Sequence, residues 1–181
     1  MNGEPRVTAW GIISGAAKWV VMIMVPVSLY MVFIYSPVEK LQGFPQKIFY
    51  FHVPSAITAF ISIYVVAGAG ILYLVKRERK WDIVALSSAE IGLVFATLVL
   101  ITGPIWAKPI WGIWWTWDAP LTLTLTLWFI FVAYLMLRSY ASSDLQGKRY
   151  SAVLGIIGAI DVPIIRMAIV RLRTLHPKPV I

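Results

Sequence analysis

Five stretches of this sequence are apolar over lengths that suit a bilayer better than water. They run from Ala17 to Ser36, Val53 to Val75, Ile83 to Gly103, Ala119 to Leu137 and Ser151 to Val170. At about 1.5 Å of rise per helical residue, each crosses most or all of about 30 Å of hydrocarbon. The expected fold class is therefore all-α: a polytopic transmembrane helix bundle with five spans in this chain. No soluble domain, internal repeat or low-complexity segment interrupts the pattern, so residues 1–181 read as a single integral membrane domain.

Composition supports that reading and excludes others. Only 13% of residues are charged and the mean hydropathy is +0.80, whereas a soluble domain carries roughly a quarter Asp, Glu, Lys and Arg. The net charge of +8 raises the prospect of nucleic acid, yet the cations sit in short clusters between apolar runs. That is the pattern of the positive-inside rule, and no nucleic-acid partner is expected. The sequence has no cysteine, which rules out covalent haem attachment through Cys-x-x-Cys-His, disulfides and thiolate metal sites. It also lacks a Gly-x-x-x-x-Gly-Lys-Ser/Thr loop, so ATP hydrolysis would fall to a partner. The first apolar run has no small-residue cleavage site and reads as a retained span.

Two basic clusters orient the bundle. Lys76-Arg77-Glu78-Arg79-Lys80 separates spans two and three, and Arg138, Lys148 and Arg149 lie between spans four and five. Both belong on one side, which the positive-inside rule makes cytoplasmic, together with the N-terminus. Residues 37–52, 104–118 and the tail from Arg171 then face outward. Arg171, Arg173 and Lys178 in that tail run against the rule, but two loops outweigh one tail.

The chain has two histidines, His52 and His176. Each is expected at the outer end of a span, at about the same depth. Two neutral imidazoles so placed can ligate a haem iron from its two faces; alone, they read as unrelated interfacial side chains, which need no ligand to explain them. The outer loop adds a second signal, for Trp106, Trp111, Trp114, Trp115 and Trp117 account for five of the chain's nine tryptophans. An interfacial belt explains one or two per helix end. If the segment is helical, Trp111, Trp114 and Trp115 share a face with Trp117 at its edge, a surface suited to a large planar apolar ligand such as porphyrin.

The run Trp111-Gly-Ile-Trp-Trp-Thr-Trp-Asp118 resembles the WWD signature of the haem-handling proteins of cytochrome c biogenesis, in particular the cytochrome c maturation protein C (CcmC) family. Phe51-His52-Val53-Pro54, Trp106-Ala-Lys-Pro109, Asp161-Val-Pro-Ile164 and Thr174-Leu-His176 match it in the same order. The resemblance implies a non-covalent haem b site facing the periplasm. His52 and His176 would be axial ligands, and the segment from Trp111 to Asp118, with Trp106 beside it, would cradle the porphyrin. It further implies a protein of the bacterial inner membrane without catalytic turnover, which presents haem to a periplasmic haem chaperone. Its other partners would be the ATPase and membrane subunits of an ABC transporter and a small membrane accessory subunit. The family pattern continues into a sixth span beyond the second histidine, whereas this sequence ends at Ile181. Two residues after Asp118 the family often has Arg. Here Pro120 stands there, suiting the first turn of a helix but leaving Lys108 or the tail arginines to meet a propionate.

Rival classes are a two-histidine cytochrome b-like electron-transfer subunit, a holocytochrome synthase and a plain scaffold. The first needs histidines within the spans, the second is larger with more histidines, and the third leaves the tryptophans unexplained. Within the spans, Glu90 and Arg166 are expected to pair inside the bundle or snorkel. Asp161 is expected to satisfy backbone groups freed by Pro163.

The orientation has a direct test, since any introduced cysteine is the only one in the chain. An impermeant thiol reagent added from outside is expected to label Thr116→Cys and spare Ser142→Cys. The opposite pattern would invert the topology.

Overall fold

The computed structural model describes residues 9–141, 143–172 and 174. Its elements are α1 (Ala9–Tyr30), a π turn (Met31–Tyr35), a 3-10 turn (Phe44–Ile48), α2 (Phe49–Lys76), α3 (Arg79–Trp111), α4 (Ala119–Tyr140) and α5 (Asp144–Arg171). Five helices are long and apolar enough to cross a membrane, and no strand forms among the described residues. The all-α polytopic architecture is therefore as expected, because in lipid a helix satisfies its own backbone.

Boundaries differ from the hydropathy reading in an instructive way. Helix α2 starts at Phe49, not Val53, so His52 lies in its first turn. Helix α3 continues through Pro104 and Pro109 to Trp111, so half of the expected loop 104–118 is helix. Gly103-Pro104 reads as a stop, yet proline is tolerated within membrane helices, where neighbouring groups re-satisfy the freed backbone. The stop comes at Gly112, whose φ of 77° is open to glycine and whose N–H bonds the Lys108 carbonyl at 2.9 Å. Residues 113–118 are not helical, so the expected single helical face of Trp111, Trp114 and Trp115 does not form.

The chain divides into two compact units, Met1–Lys47 and Ile48–Ile181. In the first, Lys47 donates from Nζ to the Phe33 and Ser36 carbonyls at 3.0 and 2.9 Å. Its buried ammonium thereby meets acceptors around the end of the π turn, where a helix favours a cation.

The second unit is a ring of four helices in which α2 and α4 each pack on both α3 and α5. Small residues set the approach. A Cβ at Gly155 would meet Val66 Cγ1 at 2.5 Å, one at Gly158 would meet Ile130 Cγ2 at 2.6 Å, and one at Gly92 would strike the Phe131 ring. Ile63, Val66, Leu127, Phe131, Tyr134 and Ile165 fill the space between. Trp128 Nε1 donates to Thr97 Oγ1 at 2.8 Å, adding a polar tie from α4 to α3.

The basic loops share one end of this unit. Buried Asp82 accepts both guanidinium nitrogens of Arg138, at 2.5 and 3.1 Å, and Lys148 bridges towards Asp82 (3.8 Å) and Asp144 (2.5 Å). Helices α3, α4 and α5 are thus joined there. Between α2 and α3 the turn is tight, with Arg77 left-handed at φ 59° and Glu78 extended. The Lys80 ammonium, 2.6 Å away and hydrogen-bonded to Glu78, holds that carboxyl below its ordinary value.

Candidate functional site

The opposite end of the four-helix unit gathers the first turn of α2, the last turns of α3, the segment 113–118 and Thr174 beyond α5. Phe49 meets Trp106 edge-on at 4.8 Å between ring centroids, and Trp106 meets Trp111 at 4.7 Å. Trp115 and Trp117 form a second edge pair at 5.7 Å. Trp106 is buried, whereas Trp114 and Trp117 are 57% and 76% exposed. The five tryptophans therefore divide into a packed base and an open rim. Beside them, Trp115 Nε1 is buried without a hydrogen-bond acceptor among the described residues, a donor that a bound polar group would satisfy.

His52 is held by α3. Its Nδ1 lies 2.8 Å from Thr102 Oγ1, and the Thr102 hydroxyl donates to the Leu98 carbonyl at 2.7 Å. A hydroxyl has one proton, so with that proton on Leu98 its oxygen accepts from Nδ1–H. The neutral ring then carries its lone pair on Nε2. Next along α3, Gly103 packs beside the ring: a Cβ there would lie 3.4 Å from His52 Cε1, at van der Waals contact. Thr102 and Trp106 are one turn apart and present the histidine and the aromatic base on the same side of the helix.

Asp118 joins the rim to two other elements. Its Oδ1 accepts from the Leu121 N–H at 3.3 Å, capping α4, and its Oδ2 accepts from the Thr174 hydroxyl. Pro120 follows inside the first turn, where a missing N–H goes unnoticed. Thr174 stands two residues before His176, which lies outside the described residues, as do Arg173 and Lys178. Lys108 donates to the Gly112 carbonyl at 2.8 Å with its ammonium 6.0 Å from the Trp114 ring centroid, so it closes the end of α3 under the rim.

Thr102 was not singled out by the sequence, and Thr174 entered only as part of the Thr174-Leu-His176 match. A threonine in an apolar helix usually bonds back to its own turn, and only the fold reveals what else its oxygen meets. Asp161 is buried with Oδ2 lacking a partner, and neither Glu90 nor Arg166 pairs inside the bundle: both are exposed and outside every ion pair among the described residues.

A family model described as Heme exporter protein C (CcmC) matches residues 6–181. Heme exporter protein C of Escherichia coli strain K12 is 34% identical over 142 residues, covering 78% of this chain and 58% of that protein. The Haemophilus influenzae protein of the same name is 32% identical over 173 residues, covering 96% of this chain and 70% of its own length. A CcmC-like mitochondrial protein of cytochrome c biosynthesis from Marchantia polymorpha is 33% identical over 141 residues, 78% of this chain and 59% of that protein. The chain thus spans little more than half the length of two of these three relatives.

The double role of Asp118 predicts a graded response. Asp118→Ala is expected to cost about 1 kcal/mol through loss of the cap alone, and more through loss of the Thr174 bond. Asp118→Asn, which caps as well and can still bond Thr174, is expected to stay within half of that loss. Unfolding in mixed micelles measures both, and equal stability of Ala and wild type would remove the cap from the account.

Proposed function

The chain belongs to the Heme exporter protein C family, and we propose that it binds haem b non-covalently at the aromatic end of its bundle and presents it for cytochrome c maturation. The observation that carries this reading is the Thr102 bond to His52 Nδ1, because it leaves the lone pair of the neutral ring on Nε2. An imidazole anchored through Nδ1–H offers Nε2 to iron, and such anchoring fixes ring orientation and raises basicity. His176 is proposed as the second axial ligand.

The remaining residues fit a porphyrin by their chemistry. Trp106 and Trp111 supply a packed apolar base, while Trp114, Trp115 and Trp117 offer faces for offset stacking at the rim. The unpaired Trp115 indole N–H is a donor for a propionate. Asp118 is proposed to act through position alone, linking the rim to the segment that leads to His176. Haem is cargo here, so no turnover is assigned to the chain.

Exposure of Trp114 and Trp117 suits transfer rather than storage. Tryptophan is enriched at the energetic centres of interfaces, and an open rim lets a periplasmic haem chaperone approach the porphyrin directly. ATP hydrolysis would come from the ATPase of an ABC transporter, whose membrane subunits and a small accessory subunit are the proposed neighbours in the inner membrane. The end with Arg138 and Lys148 is then cytoplasmic, and the aromatic end faces the periplasm.

Haem spectra of the detergent-purified chain test the ligands. His52→Ala is expected to remove the low-spin spectrum, with partial return on adding imidazole. Thr102→Val is expected to keep the ligand but weaken haem affinity about 10- to 100-fold. Unchanged haem content in the double variant His52→Ala, His176→Ala would overturn the proposal.

A further inference from the structure

Glu90 is the only ionisable residue of α3 between Asp82 and Lys108. At about 1.5 Å per residue it lies about 16 Å along the helix from Arg79, inside a span that runs Arg79–Trp111. Ala85, Ala89, Gly92 and Ala96 turn into the bundle, whereas Glu90 is exposed on the other side of the helix. No salt bridge or hydrogen bond engages its carboxyl among the described residues. A glutamate stem is too short to carry its head from that depth to water, unlike the longer stems that snorkel.

The surroundings of Glu90 are those of a helix contact. Ile83, Ser87, Val94, Leu98 and Ile101 continue the exposed stripe at helical spacing, with Ser87 one turn from the carboxyl. Were this stripe to face only lipid, the carboxyl would be among the costliest side chains to leave there. A neighbouring helix removes that cost if it brings a charge or donor to the same depth.

We propose that the Ile83–Ile101 face of α3 docks a transmembrane helix of a partner polypeptide, and that Glu90 pairs with a Lys or Arg of that helix. Charge complementarity selects this occupant. A second copy of the chain, packed by this face about an axis normal to the membrane, would bring two Glu90 carboxyls to one depth. The contact places the partner's cation nearer the Asp82 end of the span than the aromatic end. It is independent of the haem site.

A photoreactive benzophenone residue at Ser87 or Val94 of the full chain, in membranes of its native host, reads the contact directly. Both positions are expected to join one polypeptide, through a transmembrane peptide that contains Lys or Arg. The same probe at Ile157 of α5 is the control and is expected not to join it. Glu90→Leu is expected to lower the adduct about tenfold without reducing the amount of chain in the membrane, since leucine suits lipid. Glu90→Lys combined with Glu at the partner's cation is expected to restore it. Adducts with lipid alone, with a second copy or with residues 9–47 of the same chain would overturn the proposal. So would a yield indifferent to Glu90→Leu.

Discussion

Close approach of large side chains to glycines is the constraint on which the four-helix unit depends. Lipid tails are as apolar as leucine, so hydrophobicity does not drive helices together in a bilayer, and packing must. Along α5, Gly147, Ser151, Gly155 and Gly158 recur at helical spacing and are buried. Val66 of α2 and Ile130 of α4 lie where side chains at Gly155 and Gly158 would begin. On α3, Gly92 does the same for Phe131, which is fully buried. These contacts fix how far each helix slides against its neighbour, and therefore which residues meet at each end.

The two ends use that alignment differently. At one, the bidentate pair of Asp82 with Arg138 is buried, and Lys148 stands close by. Such a pair adds little net stability against desolvation, yet removing one partner strands a charge, so it holds the register of α3 against α4. At the other end the ties are neutral or singly charged: Thr102 to His52, and Thr174 to Asp118. The first connects a residue of the proposed haem site to α3, and the second connects Asp118 to the segment beyond α5. A bundle that slipped by one turn would break both, which makes the site a consequence of the glycine contacts far from it.

Much of this was legible in the sequence, and the parts that were not share a cause. The spans followed from hydropathy because a bilayer demands long apolar runs. The WWD segment and His52 were legible because five tryptophans and a lone histidine at a span edge are unusual. The end of α3 was not, since Gly103-Pro104 signals a stop that membrane packing overrides and Gly112 supplies the real one. Thr102, Thr174 and the inward glycines matter only through what faces them, which no local pattern encodes. Glu90 was not legible for the same reason: internal pairing and snorkelling fit the sequence alike, and only the fold shows which way the helix turns it.

The central claim is that His52, anchored through Nδ1, offers Nε2 to haem iron. Electron–nuclear double resonance on the ferric, haem-loaded protein tests it, using histidine labelled with nitrogen-15 at one ring nitrogen at a time. The account predicts strong coupling from the Nε2 label in the His176→Ala variant, and its loss when His52 is also replaced. Coupling from the Nδ1 label instead, or coupling that survives without His52, would contradict it.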